Sequence, residues 1–326
     1  MLCIHHHSTD PYFNLAVDEY IFKHIDEDCF MLWRNDNAII VGKHQNTLSE
    51  INVDYVQEKG IKVVRRMSGG GAVYHDLGNL NFTFTKTSEQ AGQVDFHHYT
   101  QPIIDVLKEL GVNAEFQGRN DLVIDGRKFS GNAEYIFKNK ILHHGTILFS
   151  SHMPDISGAL KVNPLKFKDK AVKSVPKRVT NVMDHLKEPI TLEEFTQRVM
   201  THITNTHANC RPYTLSETDI KAIEQIRDDK YSQWEWNFGH SPDYNFQQGV
   251  RSQGGTLEMH LDVHKGVIEN CRIFGDFFTT GDISDIEQAL VGLRHDKSVI
   301  TDRLKAFDID RYFHNISRED LLAAMF

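Results

Sequence analysis

The run Arg65-Arg66-Met67-Ser68-Gly69-Gly70-Gly71-Ala72-Val73-Tyr74-His75-Asp76 holds the densest chemistry in this chain. Three consecutive glycines between apolar stretches are costly, because each gives up much backbone freedom on folding. They are worthwhile where a backbone must approach a ligand closely. Successive amide N–H groups in such a turn can form a concave anion site. Arg65 and Arg66 would add positive charge at its mouth. The run is neither a Walker A loop, GxxxxGK[ST], nor a GxGxxG fingerprint. Phosphate or nucleotide contact therefore competes with a plain alternative, a tight hairpin turn beside an incidental arginine pair.

A second cluster is Gly118-Arg119-Asn120-Asp121, followed by Gly126-Arg127-Lys128-Phe129-Ser130-Gly131-Asn132-Ala133. A lysine between a hairpin turn and a run of small residues can reach into a cleft. There its ammonium would stabilise negative charge developing on a phosphate or an acyl oxygen. Asp121 would help to hold Mg²⁺ beside phosphates. The plain alternative is an exposed hairpin lysine. His143-His144-Gly145-Thr146-Ile147-Leu148-Phe149 is a third candidate, or simply a strand that starts with two polar residues. The 19 histidines come mostly as neighbours, such as His5 to His7 and His97-His98, and not as i, i+4 pairs. They read as ordinary surface or core histidines, not as metal ligands.

These groups need elements to hold them. Asp10-Pro11 reads as a helix start, and Phe13, Val17, Ile21 and Ile25 recur at helical spacing. Phe30 to Arg34 and Ala38 to Gly42 read as strands around an Asn-Asp-Asn turn. Val63 to Arg66 is a strand running into the glycines, and Leu80 to Thr85 is another. Ile103, Val106, Leu107 and Leu110 form a helix face that stops at Gly111. Leu122 to Phe149 reads as three strands joined by turns at Asp125-Gly126 and Asn139-Lys140, so this part of a sheet is expected to be antiparallel. Strands grouped in hairpins beside separate helices predict an α+β fold and not a doubly wound one. Thr191-Leu192-Glu193-Glu194 is a capping-box pattern ahead of Phe195, Val199 and Ile203. Lys161 to Arg178 carries seven basic residues against one acid, which suits either a solvated loop or a mobile segment that meets phosphate. Trp234 to Gly239 belongs to a structured aromatic loop. From about Gln247 a second unit begins. In it Leu257, Met259, Leu261 and Val263 alternate as a strand, a Lys265-Gly266 turn leads to another strand ending near Phe274, and Ile283, Ile286, Leu290 and Leu293 form a helix face. The domains expected are residues 1–245 and a small α+β unit, 246–326.

Bulk properties exclude several classes. The chain has 326 residues, 40% hydrophobic and 25% charged, so wholesale disorder is excluded. Its formal net charge of −9 disfavours non-specific nucleic-acid binding. No apolar run approaches the ~20 residues that span a bilayer, and the start lacks a signal peptide's pattern. A cytoplasmic location is expected, with no membrane or nucleic-acid partner. The four cysteines, Cys3, Cys29, Cys210 and Cys271, have no CxxC spacing, so neither a disulfide framework nor a zinc knuckle is indicated.

Taken together these segments resemble the lipoate–protein ligase A family over nearly the whole chain. The likeness runs through Tyr12-Phe13-Asn14-Leu15-Ala16, Leu32-Trp33-Arg34-Asn35, Val41-Gly42 with Gln45-Asn46, and the arginine–glycine run with Gly78-Asn79. It continues through Gly118 to Leu122, Arg127-Lys128 with Ser130-Gly131, His143 to Thr146, and Ser174 with Arg178 to Asn181. The Trp234 loop and the C-terminal extension complete it. The resemblance implies an α+β catalytic core like that of biotin protein ligases and class II tRNA synthetases, with an accessory domain. It implies that lipoate and MgATP give lipoyl-AMP, whose acyl group passes to a lysine of an apo lipoyl domain, on a 2-oxoacid dehydrogenase subunit or the glycine-cleavage H protein. It also implies roles. Arg66, the Gly71-Ala72-Val73-Tyr74 backbone, Asn120 and Asp121 would contact ATP, with Asp121 on Mg²⁺. Lys128 would be catalytic and meet both ATP and the lipoyl carboxyl oxygen. Trp33, Ser68, Gly70, His75 and His144 would bind lipoate, and the basic 161–178 segment would close over the adenylate.

The chemistry agrees with such roles. A carboxylate is a poor acyl donor, and adenylation supplies a better leaving group. That step joins two anions, so cations and N–H donors must offset their repulsion. An apolar tail calls for aromatic and aliphatic walls. Two rivals remain: a lipoyl or octanoyl transferase acting on preformed lipoyl-AMP or on an acyl thioester, and a non-catalytic binding protein on the same scaffold. The absence of cysteine between Cys29 and Cys210 weakens a cysteine-dependent transferase. Residues 247–326 carry nine basic against thirteen acidic residues, which disfavours DNA.

Overall fold

The structure is a computed structural model that describes residues 1–45, 47–87, 95–160, 179–237, 246–264, 267–293 and 297–325. The expectations for 161–178, Asn46, Phe238-Gly239 and the Lys265-Gly266 turn fall outside these residues. The described strands of the larger part are β1 (Leu2–His5), β2 (Cys29–Trp33), β3 (Ala38–Val41), β4 (Lys62–Arg65), β5 (Val73–His75), β6 (Asn79–Thr87), β7 (Ala114–Gln117), β8 (Asp121–Ile124), β9 (Arg127–Phe137), β10 (Lys140–Leu148) and β11 (Arg211–Pro212). A mixed sheet runs β11-β1-β2-β6-β10-β9-β8-β7, and a small one runs β4-β3-β5. From β2 through β7 every neighbouring pair of the large sheet is antiparallel, as the hairpin signals predict.

Side chains alternate across a strand, so each strand of the large sheet serves two faces. Phe30, Leu32, Leu80, Phe82, Phe84, Ile141 and Ile147 pack on one face, in a core shared with the helices Phe96–Glu109 and Leu192–Thr206. Trp33, Asn81, Thr83, His144 and Thr146 project from the other, where the register sets Trp33 against Asn81, Asn81 against Thr146, and Thr83 against His144. That face meets the first helix, Pro11–His24, and the small sheet. The helix starts as its sequence directs: Pro11 leads it, and the Asp10 carboxylate accepts the Phe13 N–H at 3.3 Å. Thr191 and Glu194 form the expected capping box.

Three local expectations need correction. The strands flanking Asn35–Asn37 do not pair, because β2 joins the large sheet while β3 departs into the small one. The turn before β10 is Lys138-Asn139, one residue early, with Lys138 supplying the left-handed φ of 54°. The glycine run is not a hairpin. β3 lies between β4, which is parallel to it, and β5, which is antiparallel, so residues 66–72 cross over the end of β3.

A second α+β body holds the antiparallel strands β12 (Phe246–Ser252), β13 (Gly255–His264) and β14 (Val267–Gly275). Its own core joins Leu257, Met259, Leu261 and Ile273 to Ile286, Ile300, Phe313 and Leu321 of the following segments. No helix among the described residues is long and apolar enough to cross a membrane.

One polar knot ties the first helix to the helix Glu217–Ile226. The Asp219 carboxylate accepts the hydroxyls of Tyr20 at 2.7 Å and Tyr213 at 2.6 Å, together with the Ser216 N–H and hydroxyl. Burial opposes its ionisation, but these donors outweigh burial and hold its pKa down to about 2. A carboxyl with a depressed folded-state pKa stabilises the fold above its unfolded value near ~3.9, and that stability is lost as pH falls toward ~2. Asp219→Asn should cost about 2 kcal/mol at neutral pH in urea unfolding and flatten the acid limb of stability between about pH 4 and pH 2. Parallel acid limbs in the two proteins would place the sensitivity elsewhere.

Candidate active site

The polar face of the large sheet and the small sheet enclose a pocket of about 610 Å³, counted to its open mouth. Leu15, Trp33, Ile40, Val73, Ala133 and the glycine loop supply apolar wall, and Lys128, Asn120 and Asn132 supply polar groups. Of the residues singled out from sequence, Trp33, Arg66, Gly70, Gly71, Ala72, Val73, His75, Asn120, Lys128 and His144 all line it. Ser68, Tyr74 and Asp121 do not. Ser68 sits behind His144, Tyr74 packs on the opposite face of the small sheet with its hydroxyl on Asn37, and Asp121 backs Lys128.

Lys128 stands at one end. Its Nζ lies 2.6 Å from Asp121 Oδ1, and its side chain is 30% exposed, reachable from the mouth. The chain makes room for it at Gly131, where a Cβ would fall 2.8 Å from Nζ and 3.0 Å from Cε. From Gly131 the sheet leads across the pocket floor. The Gly131 N–H donates to Thr146 Oγ1, Thr146 stands opposite Asn81, and Asn81 stands opposite Trp33. Three strand spacings of ~4.8 Å separate the ends by roughly 14 Å. The pocket is thus long, cationic at one end and walled by Trp33 and His75 at the other, their rings meeting edge to face at 6.5 Å.

The two arginines do different work from the charge at the mouth expected of them. Arg65 is fully buried. Its guanidinium donates to carbonyls of Gly42, Lys43, Gln45, Trp236 and Asn237 and to Thr47 Oγ1. Burial, then the neighbouring Arg66, lowers its pKa to about 9. Arg66 lines the pocket but spends its donors on Ile40 O, Gly69 O, Gly71 O and Ser68 Oγ. It staples the glycine loop from beneath. The Gly70 N–H, one of the amides expected to cradle an anion, donates to Phe277 O of the C-terminal body at 3.2 Å.

The sequence gives no role to Asp18, yet it organises the pocket wall. Its carboxylate, on the buried side of the first helix, accepts Thr83 Oγ1 at 2.8 Å and faces His144 Nδ1 at 2.8 Å. Thr83 in turn accepts the Trp33 indole N–H at 3.0 Å, and His144 Nε2 meets Ser68 Oγ at 2.5 Å. Arg66, Ser68, His144, Asp18, Thr83 and Trp33 form one hydrogen-bonded chain. The available signal was an acid among the apolar positions Leu15, Val17 and Ile21. Arg119, from the second candidate cluster, points away from the pocket. It donates to Gly254 O and Asp276 O and lies 4.8 Å over the Phe278 ring.

An ammonium and a glycine loop lining one long and largely apolar pocket suit the activation of a carboxylic acid with an apolar tail. Comparison with known proteins narrows the class. Residues 10–204 match the lipoyl protein ligase A/B catalytic domain, and residues 241–325 match the bacterial lipoate protein ligase C-terminus. Lipoate-protein ligase LplJ of Bacillus subtilis is 46% identical over 318 residues, covering 96% of each chain. Among solved structures, LipL1 of P. falciparum in complex with lipoate aligns with a TM-score of 0.80 at 25% identity, over 99% of this chain and 97% of that one. A lipoate-protein ligase A bound with ATP aligns at 0.63 and 27%, over 73% and 98%. A bi-partite lipoate protein ligase of Thermoplasma acidophilum, described with its E2 lipoyl domain, aligns at 0.64 and 30%, over 75% and 98%. The chain belongs to the lipoate–protein ligase family, and it is a ligase.

Arg65 supports the site without touching it. Arg65→Met would leave several buried carbonyls without donors and should cost about 3 kcal/mol or more in denaturant unfolding. A loss below about 1 kcal/mol would mean that water replaces the guanidinium.

Proposed function

We propose that this enzyme activates lipoate with ATP and transfers the lipoyl group to a lysine of a lipoyl domain. The observation that carries the reading is Lys128 at the head of the pocket, opposite an aromatic tail wall. In the first step a lipoate carboxylate oxygen attacks the α-phosphorus of ATP, a P–O bond forms, and pyrophosphate leaves with the broken bond's electrons. The Lys128 ammonium sits where it would offset the repulsion between the two anions, and the pocket holds acid and nucleotide in line. In the second step an acceptor lysine amine attacks the acyl carbon, AMP leaves, and the amine loses its proton. The role assignments expected from sequence follow: Arg66, Gly71 to Tyr74, Asn120, Asp121 and Lys128 toward ATP, and Trp33, Ser68, Gly70, His75, His144 and Lys128 toward lipoate. For Ser68 the geometry favours support of the wall over direct contact, and Arg66, which lines the pocket, also holds the glycine loop.

Asp121 is the candidate protein ligand for Mg²⁺. Among the described residues no group of three or more His, Cys, Asp or Glu gathers to hold a metal ion. A single carboxylate nevertheless suits Mg²⁺, which usually takes one or two beside substrate phosphates and would there neutralise phosphate charge. The acceptors would be apo lipoyl domains of 2-oxoacid dehydrogenase subunits or the glycine-cleavage H protein. Residues 1–245 would form the catalytic domain, 246–326 the accessory one, and the enzyme would act in the cytoplasm. A thioester route through an enzyme cysteine is disfavoured, since no cysteine lines the pocket.

Purified enzyme with ATP, lipoate and an apo lipoyl domain should add one lipoyl group to the domain by intact mass and release pyrophosphate. Pyrophosphate release absent with free lipoate, but acylation from preformed lipoyl-AMP, would favour the transferase reading. Lys128→Ala should lower adenylation by about a hundredfold or more. Gly131→Ala should displace the Lys128 ammonium and lower adenylation about tenfold, with the melting point nearly unchanged because the clash falls on a flexible side-chain end. Wild-type rates in the alanine variant at 131 would mean that Lys128 acts from another position.

A further inference from the structure

The tail end of the pocket is not wholly apolar. His75 is 3% exposed and lines the pocket, and its Nε2 is buried with no hydrogen-bond partner among the described residues. Asn81, opposite Trp33 in the sheet, also lines the pocket and has a buried, unpartnered amide nitrogen. Burying such groups unpaired is costly, so their presence in a ligand pocket points to a ligand that pairs with them.

The partners of His75 fix which nitrogen carries its proton. The Asn14 amide nitrogen donates to the backbone carbonyls of Ser8 at 2.9 Å and Arg34 at 2.8 Å, so that atom is a donor. Its two hydrogens are shared between these carbonyls and Asn35 Oδ1, 2.9 Å away; an acceptor must face this donor, which leaves Asn35 Nδ2 as the donor toward His75 Nδ1 at 3.0 Å. His75 Nδ1 therefore accepts, and Nε2 bears the hydrogen. Burial, followed by the charges of Arg66 and His144, holds the ring's pKa down to about 3, so the imidazole is neutral at physiological pH. A neutral ring with Nδ1 occupied has one group left to pair, the Nε2–H donor.

We propose that the His75 Nε2–H donates to a sulfur of the dithiolane ring and sets a preference for lipoate over octanoate, the same acyl chain without sulfur. This rests on the lipoate-activating reading above. The pocket geometry carries it, because His75 stands against Trp33, about three strand spacings from the Lys128 end. A ring sulfur is a weak acceptor, but it pairs a donor that a hydrocarbon tail leaves unpaired. A site built to hydrogen-bond its substrate rejects the analogue that lacks the partner. Asn35 is then a positioning residue that holds the tautomer.

The test compares kcat/KM for lipoate and octanoate in the full-length enzyme and in His75→Phe, which keeps a ring and removes the donor. The lipoate-to-octanoate ratio should fall about five- to tenfold. His75→Gln, which restores a donor, should recover most of the preference. On wild-type enzyme labelled with ¹⁵N-histidine, the His75 signals should report the Nε2–H form, and lipoate should shift the Nε2–H where octanoate does not. This readout decides the matter even where a variant fails to fold. A ratio that stays within about twofold in His75→Phe, or equal shifts of Nε2–H with both acids, overturns the proposal without bearing on the lipoate-activating reading. Wild-type enzyme that adenylates neither acid would instead overturn the underlying reading.

Discussion

A buried guanidinium, with no carboxylate beside it among the described residues, holds the ligand end of this enzyme in shape. Arg66 is 6% exposed, and burial lowers its pKa only to about 10, so it stays charged. Carbonyl oxygens answer that charge, and they come from the glycine loop itself, Gly69 and Gly71, and from Ile40 on β3. A trans peptide points its C=O and N–H in opposite directions. Capturing Gly69 O and Gly71 O from beneath therefore turns the N–H groups of Gly70 and Ala72 away from Arg66. The cation so orients the loop's donors from its place in the pocket lining. Through Ser68 and His144 the same group is linked to Asp18, Thr83 and Trp33, so loop and tail wall share one network. Such networks are strong when complete and fail as units when one member is lost.

What the sequence made legible was local or periodic. Asp10-Pro11 and the Thr191 capping box mark helix starts because the capping groups lie within three residues of each other. The Asp125-Gly126 turn predicts its hairpin because both residues tolerate positive φ, 50° and 72° here. What depended on distant partners was not legible. The Asn35–Asn37 turn specifies a reversal, but the neighbours of β3 lie at 62–65 and 73–75. Arg65 looks like surface charge by residue type, and its burial depends on carbonyls at 42–45 and at 236–237, the latter more than 170 positions away. Trp33, His75, Lys128 and His144 come from four strands, and only the family resemblance placed them together. Asp18 stayed unassigned because its partners sit on β6 and β10.

The glycine run is explained only in part by anion binding. At Gly69 a Cβ would fall within 1.8 Å of Phe277 O, so the residue is small because another backbone lies against it. Gly70 has a φ of 90°, a conformation that side chains resist, and a Cβ there would press on the Arg66 guanidinium at 2.8 Å. Gly69 and Gly70 thus answer separate constraints, contact with the C-terminal body and the turn over Arg66. The same C-terminal stretch, Asp276 to Phe278, receives Arg119 from the loop that carries Asn120 and leads into β8, and the Phe277 ring stacks on His44 at 4.9 Å. Two loops that border the pocket therefore lean on one segment of the accessory body. The Gly70 amide cannot serve Phe277 O and a phosphate with the same hydrogen bond. An anion that took this N–H would compete with this docking of the accessory body, and linkage would then require each to weaken the other to the same degree.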